Sequence, residues 1–147
     1  MGLLRCIDLN ELNSWQDCID DYCAIKISVD IQKINSLLST ANGRIDFVNS
    51  IDITDNNVNF IFENYYTSIL ELLHSIVLKK GFKVSNHICL GFYLKDSLNN
   101  RKVFDLYDEL RMKRNSLVYY GKQMDTKIVR NSVDKSKRLY EELLKLI

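Results

Sequence analysis

Arg114 stands where an apolar residue belongs. Over residues 103–120 the hydrophobic line runs Val103, Tyr107 or Leu106, Leu110, then position 114, then Leu117. A guanidinium on a buried helical seam is costly unless it is paired or hydrogen-bonded. Either the helix turns toward a cleft at this point, or a carboxylate from a neighbouring helix meets the arginine. Glu63 and Glu71 are the candidates for that partner. A purely structural ion pair, or a side chain that lays its stem on the core and keeps its head in water, would satisfy the same pattern. The chemistry that distinguishes arginine is a permanently charged planar fork that matches phosphate oxygens in pairs.

The surrounding residues fit that chemistry. Arg111 and Lys113 lie within one turn, and Lys122 follows just past the helix, so a small basic patch surrounds Arg114. Asn115 adds a polar neighbour, and Tyr119 and Tyr120 close the segment before Gly121. Tyrosine has an unperturbed pKa of about 10, so it is a poor proton acceptor near neutral pH, although it can donate a hydrogen bond or stack on a base. Glu63 and Asn64, ahead of Tyr65 and Tyr66, are the polar residues best placed to approach from another helix. His74 lies in the middle of an apolar helix, where it reads either as a replacement base or as a satisfied residue at the core's edge. His87 follows a helix cap and reads as incidental.

Other chemistries are poorly served. There is no glycine-rich phosphate loop, no nucleophile elbow and no carboxylate pair at metal-binding spacing, so neither a metal nor a cofactor is called for. Cys6, Cys18, Cys23 and Cys89 form no C-x-x-C pair and make no metal-ligand spacing with the histidines, so they read as reduced structural thiols. No apolar run is long enough to span a membrane. The first ten residues lack the basic-then-apolar order of a signal peptide, which makes a soluble cytoplasmic protein the expectation. Charge is unevenly spread: residues 1–100 hold 8 Lys/Arg against 12 Asp/Glu, and residues 101–147 hold 12 against 7. A basic last third would attract phosphate-bearing partners, or simply form a solvated helix face.

The elements that must position these groups are helices. The 147-residue chain has no proline and only five glycines, leaving long stretches free of helix breakers. Ile27, Ile31, Ile34, Leu38, Ala41, Ile45 and Val48 step by four and three, as do Val58, Phe62, Tyr65, Ile69, Leu72 and Ile76. These two stripes predict a long helical hairpin, with residues 52–57 as its polar turn and Gly81 as its end. Residues 9–22 predict a short first helix, and residues 24–29 are ambiguous between helix and strand. Ser85 and Asn86 cap a further helix to Leu98, Asn99 and Asn100 make a turn, and helices over residues 103–120 and 126–147 complete the chain. The expected fold is all-α, an up-and-down bundle of four to five helices over residues 28–147, with residues 1–27 as an N-terminal extension.

The stretch Glu109-Leu110-Arg111-Met112-Lys113-Arg114-Asn115, followed by Tyr119, Tyr120 and Gly121, resembles the signature helix of the HEPN family of helical RNA- and nucleotide-binding domains. That signature is an arginine followed by a small polar residue, often asparagine, with a histidine four to six residues further on. Arg114 and Asn115 match it, and Tyr119 and Tyr120 stand where the histidine belongs. The order of helices agrees too: a hairpin, a short helix, the signature helix and a closing helix.

The resemblance implies RNA or nucleotide binding around Arg114, assisted by Arg111, Lys113, Asn115, Glu63 and Asn64. It implies at most weak metal-independent ribonuclease activity, with Arg114, Tyr119 and Tyr120 as the catalytic group. It further implies a homodimer, and a small nucleotidyltransferase as partner in a toxin–antitoxin pair. The alternative is a non-catalytic dimeric interaction module, in which the tyrosines and the arginine serve an interface.

Overall fold

The computed structural model describes residues 11–119 and 125–147, and the side chains of these except Val118 and Tyr119. It is an all-α bundle with one small strand pair. In chain order the elements are α1 (Trp15–Asp20), β1 (Ala24–Lys26), α2 (Ile31–Asn49), α3 (Val58–Lys79), β2 (Phe82–Val84), α4 (His87–Phe92), α5 (Arg101–Tyr119) and α6 (Thr126–Leu144). A wider π-type turn, Tyr93–Ser97, continues α4 toward α5.

The two long stripes form the expected hairpin. Asp30 caps α2 by accepting from Lys33 N, which starts the helix four residues later than Ile27. The α2 stripe buries Ile34, Ala41, Ile45 and Val48, while Ile31 is exposed at the near end. Between the hairpin arms, Thr54 and Asn57 bond reciprocally: Thr54 N donates to Asn57 Oδ1 at 2.8 Å, and Asn57 N donates to Thr54 Oγ1 at 3.3 Å. α3 is the central helix, burying both its predicted stripe and the widened face at Leu73 and Val77. Gly81, at φ 84°, takes the left-handed conformation that ends this helix without a Cβ penalty.

α6 lies along α3 and buries Val129, Val133, Leu139, Tyr140 and Leu143. Ion pairs add links between the helices. Glu109 of α5 accepts from Lys135 at 2.6 Å and from Lys113 at 3.2 Å, and these bonds hold the Glu109 carboxyl below its usual range. Arg44 of α2 pairs with Glu71 of α3 at 2.8 Å.

The described part of the segment before residue 28 is tied to the bundle by strand pairing, aromatic packing and a disulfide. β1 pairs antiparallel with β2, Ile25 opposite Lys83, so the ambiguous patch resolves as a strand. Trp15 packs edge-on against Phe82 and Tyr93, and its backbone N donates to Asp96 Oδ2 at 2.8 Å. Cys18 of α1 is bonded to Cys89 of α4 by a disulfide whose two cysteines are both fully buried.

That bond corrects the expectation of reduced thiols: Cys23 is disulfide-bonded as well, and no described cysteine is free. Spacing alone could not reveal it, because Cys18 and Cys89 lie 71 residues apart and meet only when α1 docks on α4. Disulfides persist in oxidising surroundings and are rare where thiols are kept reduced, so the cytoplasmic expectation loses the support the cysteines lent it. No helix among the described residues is long and apolar enough to cross a membrane.

Candidate functional site

Arg114 projects from α5 onto α3. The residues that precede it on the seam, Val103, Tyr107 and Leu110, are buried, whereas the Arg114 side chain keeps 21% of its surface accessible. Its Nε donates to Glu63 Oε1 at 3.3 Å, and its guanidinium carbon lies 5.5 Å from the centre of the Tyr66 ring. Of the two carboxylates expected as partners, Glu63 is therefore the one that meets it, and Glu71 is committed to Arg44. Among the described residues neither terminal nitrogen of Arg114 makes a hydrogen bond. One edge of the guanidinium is held and the other fork is unspent. Glu63 Oε2 is buried and has no hydrogen-bond partner.

Tyr66 is the floor of the site. It is almost wholly buried, stacks near-parallel on Tyr107 with ring centres 6.4 Å apart, and faces His87 at 5.8 Å. The Tyr66 hydroxyl lies 3.1 Å from His87 Nδ1. Burial pushes the Tyr66 pKa up to about 12, with a hydrogen bond to Tyr107 and then the charges of Arg114 and Arg111 opposing the rise. Tyr107, buried more deeply still, is raised further and donates to the His87 carbonyl at 2.9 Å. His87 is driven the other way, down to about 4, first by burial and then by the positive charge of Arg114, with His74 and Arg111 adding to it. Its imidazole is neutral at physiological pH.

The remaining predicted residues divide. Arg111 shares the α5 face with Arg114, as the i,i+3 spacing requires, but its Nε and Nη2 are both engaged by Asp108 Oδ1 at 3.0 and 2.8 Å. Lys113 is held by Glu109 toward α6. Asn64 turns back on its own helix, its Nδ2 donating to the Phe60 carbonyl at 2.8 Å, and Asn115 is half-buried one position past Arg114. The side chain of Tyr119 and the whole of Tyr120, like Gly121 and Lys122, lie outside the described residues. His74 is not at the Arg114 site. It lines a separate depression of about 250 Å³ with Lys33, Leu37, Leu78 and Lys83, and burial lowers its pKa, with Lys33 adding to the effect.

Sequence reasoning missed His87 and Phe60. His87 reads as incidental from its neighbours, yet it enters the cluster because the cap at Asn86 starts α4 there, Asn86 Oδ1 accepting from Cys89 N at 2.8 Å. Phe60 sits one turn before Glu63 on α3 and is 70% exposed. Its off-stripe position was the available signal, since a large aromatic at a solvent-facing step has no core to fill.

A second groove, about 380 Å³, opens between α2, α3 and α6 around Asn49, Tyr65, Lys137, Tyr140 and Glu141. Its tyrosine hydroxyls are already spent, Tyr65 on Asn49 and Tyr140 on Asn42. No cluster of His, Cys, Asp or Glu among the described residues has the arrangement to hold a metal ion. Comparison with the models of known families, with curated proteins and with solved structures gives no match to this chain.

Proposed function

We propose that this chain is a HEPN-like helical domain that binds a phosphate of RNA or of a nucleotide at the site around Arg114. The single observation that carries the reading is the state of Arg114: oriented by Glu63 through Nε, backed by the Tyr66 ring, with its terminal fork unbonded. Orientation through one edge lowers the entropy lost when the other edge takes up an anion. Phe60, exposed on α3 one turn before Glu63, supplies an aromatic face on which a base can stack. Metal-independent cleavage by such a site is weak at most, because Arg114 stabilises charge but moves no proton and tyrosine is a poor base. The homodimer and the nucleotidyltransferase partner belong to the same proposal and rest on the resemblance of the α5 sequence.

The test is binding of a fluorescently labelled single-stranded RNA, with AMP as competitor, to wild type and to Arg114→Lys. Lysine keeps the charge and loses the fork, so a fall of about tenfold or more supports the reading. Equal binding, or none by the wild type, overturns it. Incubation of the RNA in EDTA with wild type and Tyr119→His shows whether any cleavage occurs and whether a histidine at 119 restores it.

One observation favours the second reading, an interaction module. Phe47 is 65% exposed near the end of α2, and Phe60 70% near the start of α3, so both lie at the same end of the hairpin. If that end is a dimer interface, Phe47→Asp dissociates the dimer in sedimentation velocity and leaves RNA affinity absent in all variants.

A further inference from the structure

We propose that His87 is a ligand-contacting residue of the Arg114 site, donating a neutral Nε2–H hydrogen bond to the phosphate oxygens that the Arg114 fork holds. The inference rests on the phosphate reading of Arg114 and adds to it a residue from a different helix, twenty-seven positions earlier in the chain.

The tautomer of the ring turns on its contact with Tyr66. Tyr66 OH lies 3.1 Å from Nδ1, and a tyrosine in so buried a place keeps its proton. In the proposed tautomer this hydroxyl donates and Nδ1 accepts, so that in the neutral ring the hydrogen belongs to Nε2. Nε2 has no hydrogen-bond partner among the described residues, and His87 itself is half-buried. A donor left unspent on a half-buried ring is available to a ligand.

The ring is also held still. Tyr107 pins the His87 carbonyl from α5, Asn86 caps the helix turn, and Cys89, two residues on, is anchored to α1 through its disulfide. Tyr66 links the two donors, carrying the Arg114 guanidinium over its ring and His87 at its hydroxyl. Donors fixed before the ligand arrives cost little to order. In this tautomer His87 has a role distinct from proton acceptor, with Nδ1 occupied by Tyr66 and the hydrogen on Nε2. The site contains a histidine, and its chemistry is recognition.

Three variants and one spectrum test the assignment with the same labelled RNA, and with AMP to tell a free nucleotide from a strand phosphate. His87→Gln places an amide N–H near the Nε2 position, whereas His87→Asn keeps an acceptor for Tyr66 and removes the outer donor. The expected result is near-wild-type affinity for His87→Gln and a loss of about tenfold for His87→Asn, matching in direction the loss in Arg114→Lys. Affinity lost in Arg114→Lys but kept in His87→Asn overturns the His87 assignment and leaves the Arg114 reading standing. No binding by the wild type overturns both. Because a substitution at 87 also touches Tyr66, the wild-type imidazole nitrogens are observed by NMR at neutral pH. An Nε2–H resonance that shifts on adding AMP supports the proposal, and an Nδ1–H tautomer overturns it.

Discussion

Glu63 and Arg114, 51 residues apart in the chain, share one hydrogen bond of 3.3 Å and leave one oxygen of the carboxylate buried without a partner. The pair is incomplete on both sides. The carboxylate has an unsatisfied lone-pair face, and the guanidinium has an unbonded fork. A structural ion pair would be expected to close both, as Arg111 comes nearer to doing by engaging Asp108 through two nitrogens.

Removing the negative charge while keeping the shape tests what Glu63 does. Glu63→Gln retains an acceptor for Arg114 Nε and relieves the anion's competition for the guanidinium. RNA affinity is expected to rise by up to about fivefold, with a small fall in melting temperature, because a part-exposed pair contributes about 1 kcal/mol at most. Anisotropy titration and a thermal melt on the same variant measure the two. A fall in affinity would mean that Glu63 orients Arg114 more than it competes.

Phe60 separates base from phosphate. Phe60→Ala is expected to weaken RNA binding by about five- to a hundredfold, since stacking is worth about 1–3 kcal/mol per base, and to leave inhibition by inorganic phosphate unchanged. Competition titrations with the two ligands show whether they part in this way.

Acid should destabilise the fold before its carboxylates titrate. His87 has a folded pKa of about 4 and His74 is also lowered, while the unfolded chain protonates its histidines near 6.5. Between these values the unfolded state binds more protons, so stability is present above pH 6.5 and lost as pH falls toward 4. Glu109, held low by Lys135 and Lys113, adds its own loss as pH falls from the ordinary carboxylate range downward. Melting temperature followed from pH 7 to pH 4 is expected to drop in wild type and to drop less in His87→Asn. Parallel curves would show that His87 is not the titrating group.

The Cys18–Cys89 bond closes a loop of 71 residues, for which chain entropy gives a stabilisation of about 4 kcal/mol. The paired change Cys18→Ala with Cys89→Ala is expected to lower the unfolding free energy by about 2–4 kcal/mol. Hydrogen exchange should rise in α1 and α4 and change least in α3. An unchanged denaturation midpoint would mean that docking of α1 does not depend on the bond.

The hairpin of α2 and α3 was legible because its stripes extend over many turns, and a long periodic signal survives local exceptions such as Ile31. Arg114 was legible for the opposite reason, as one charged residue breaking an apolar line. What spacing could not give was anything depending on which distant residues meet. His87 and Tyr66 lie 21 positions apart and look unrelated until α4 docks on α3. The π-type turn at Tyr93–Ser97 was hidden within an ordinary helical reading, since one extra residue per turn leaves no mark in composition. β1 and β2, three residues each, are too short to show alternation, and only their pairing makes them strands.

That pairing has a practical consequence. A chain begun at Asp30 would keep the whole hairpin but leave β2 as a raw sheet edge, with the backbone groups of Phe82–Val84 facing water. Half-buried Phe82 would lose the indole of Trp15 at the same stroke. Bare edges beside uncovered aromatic surface are templates for another chain to add to, so the shortened protein would be prone to sticking to copies of itself.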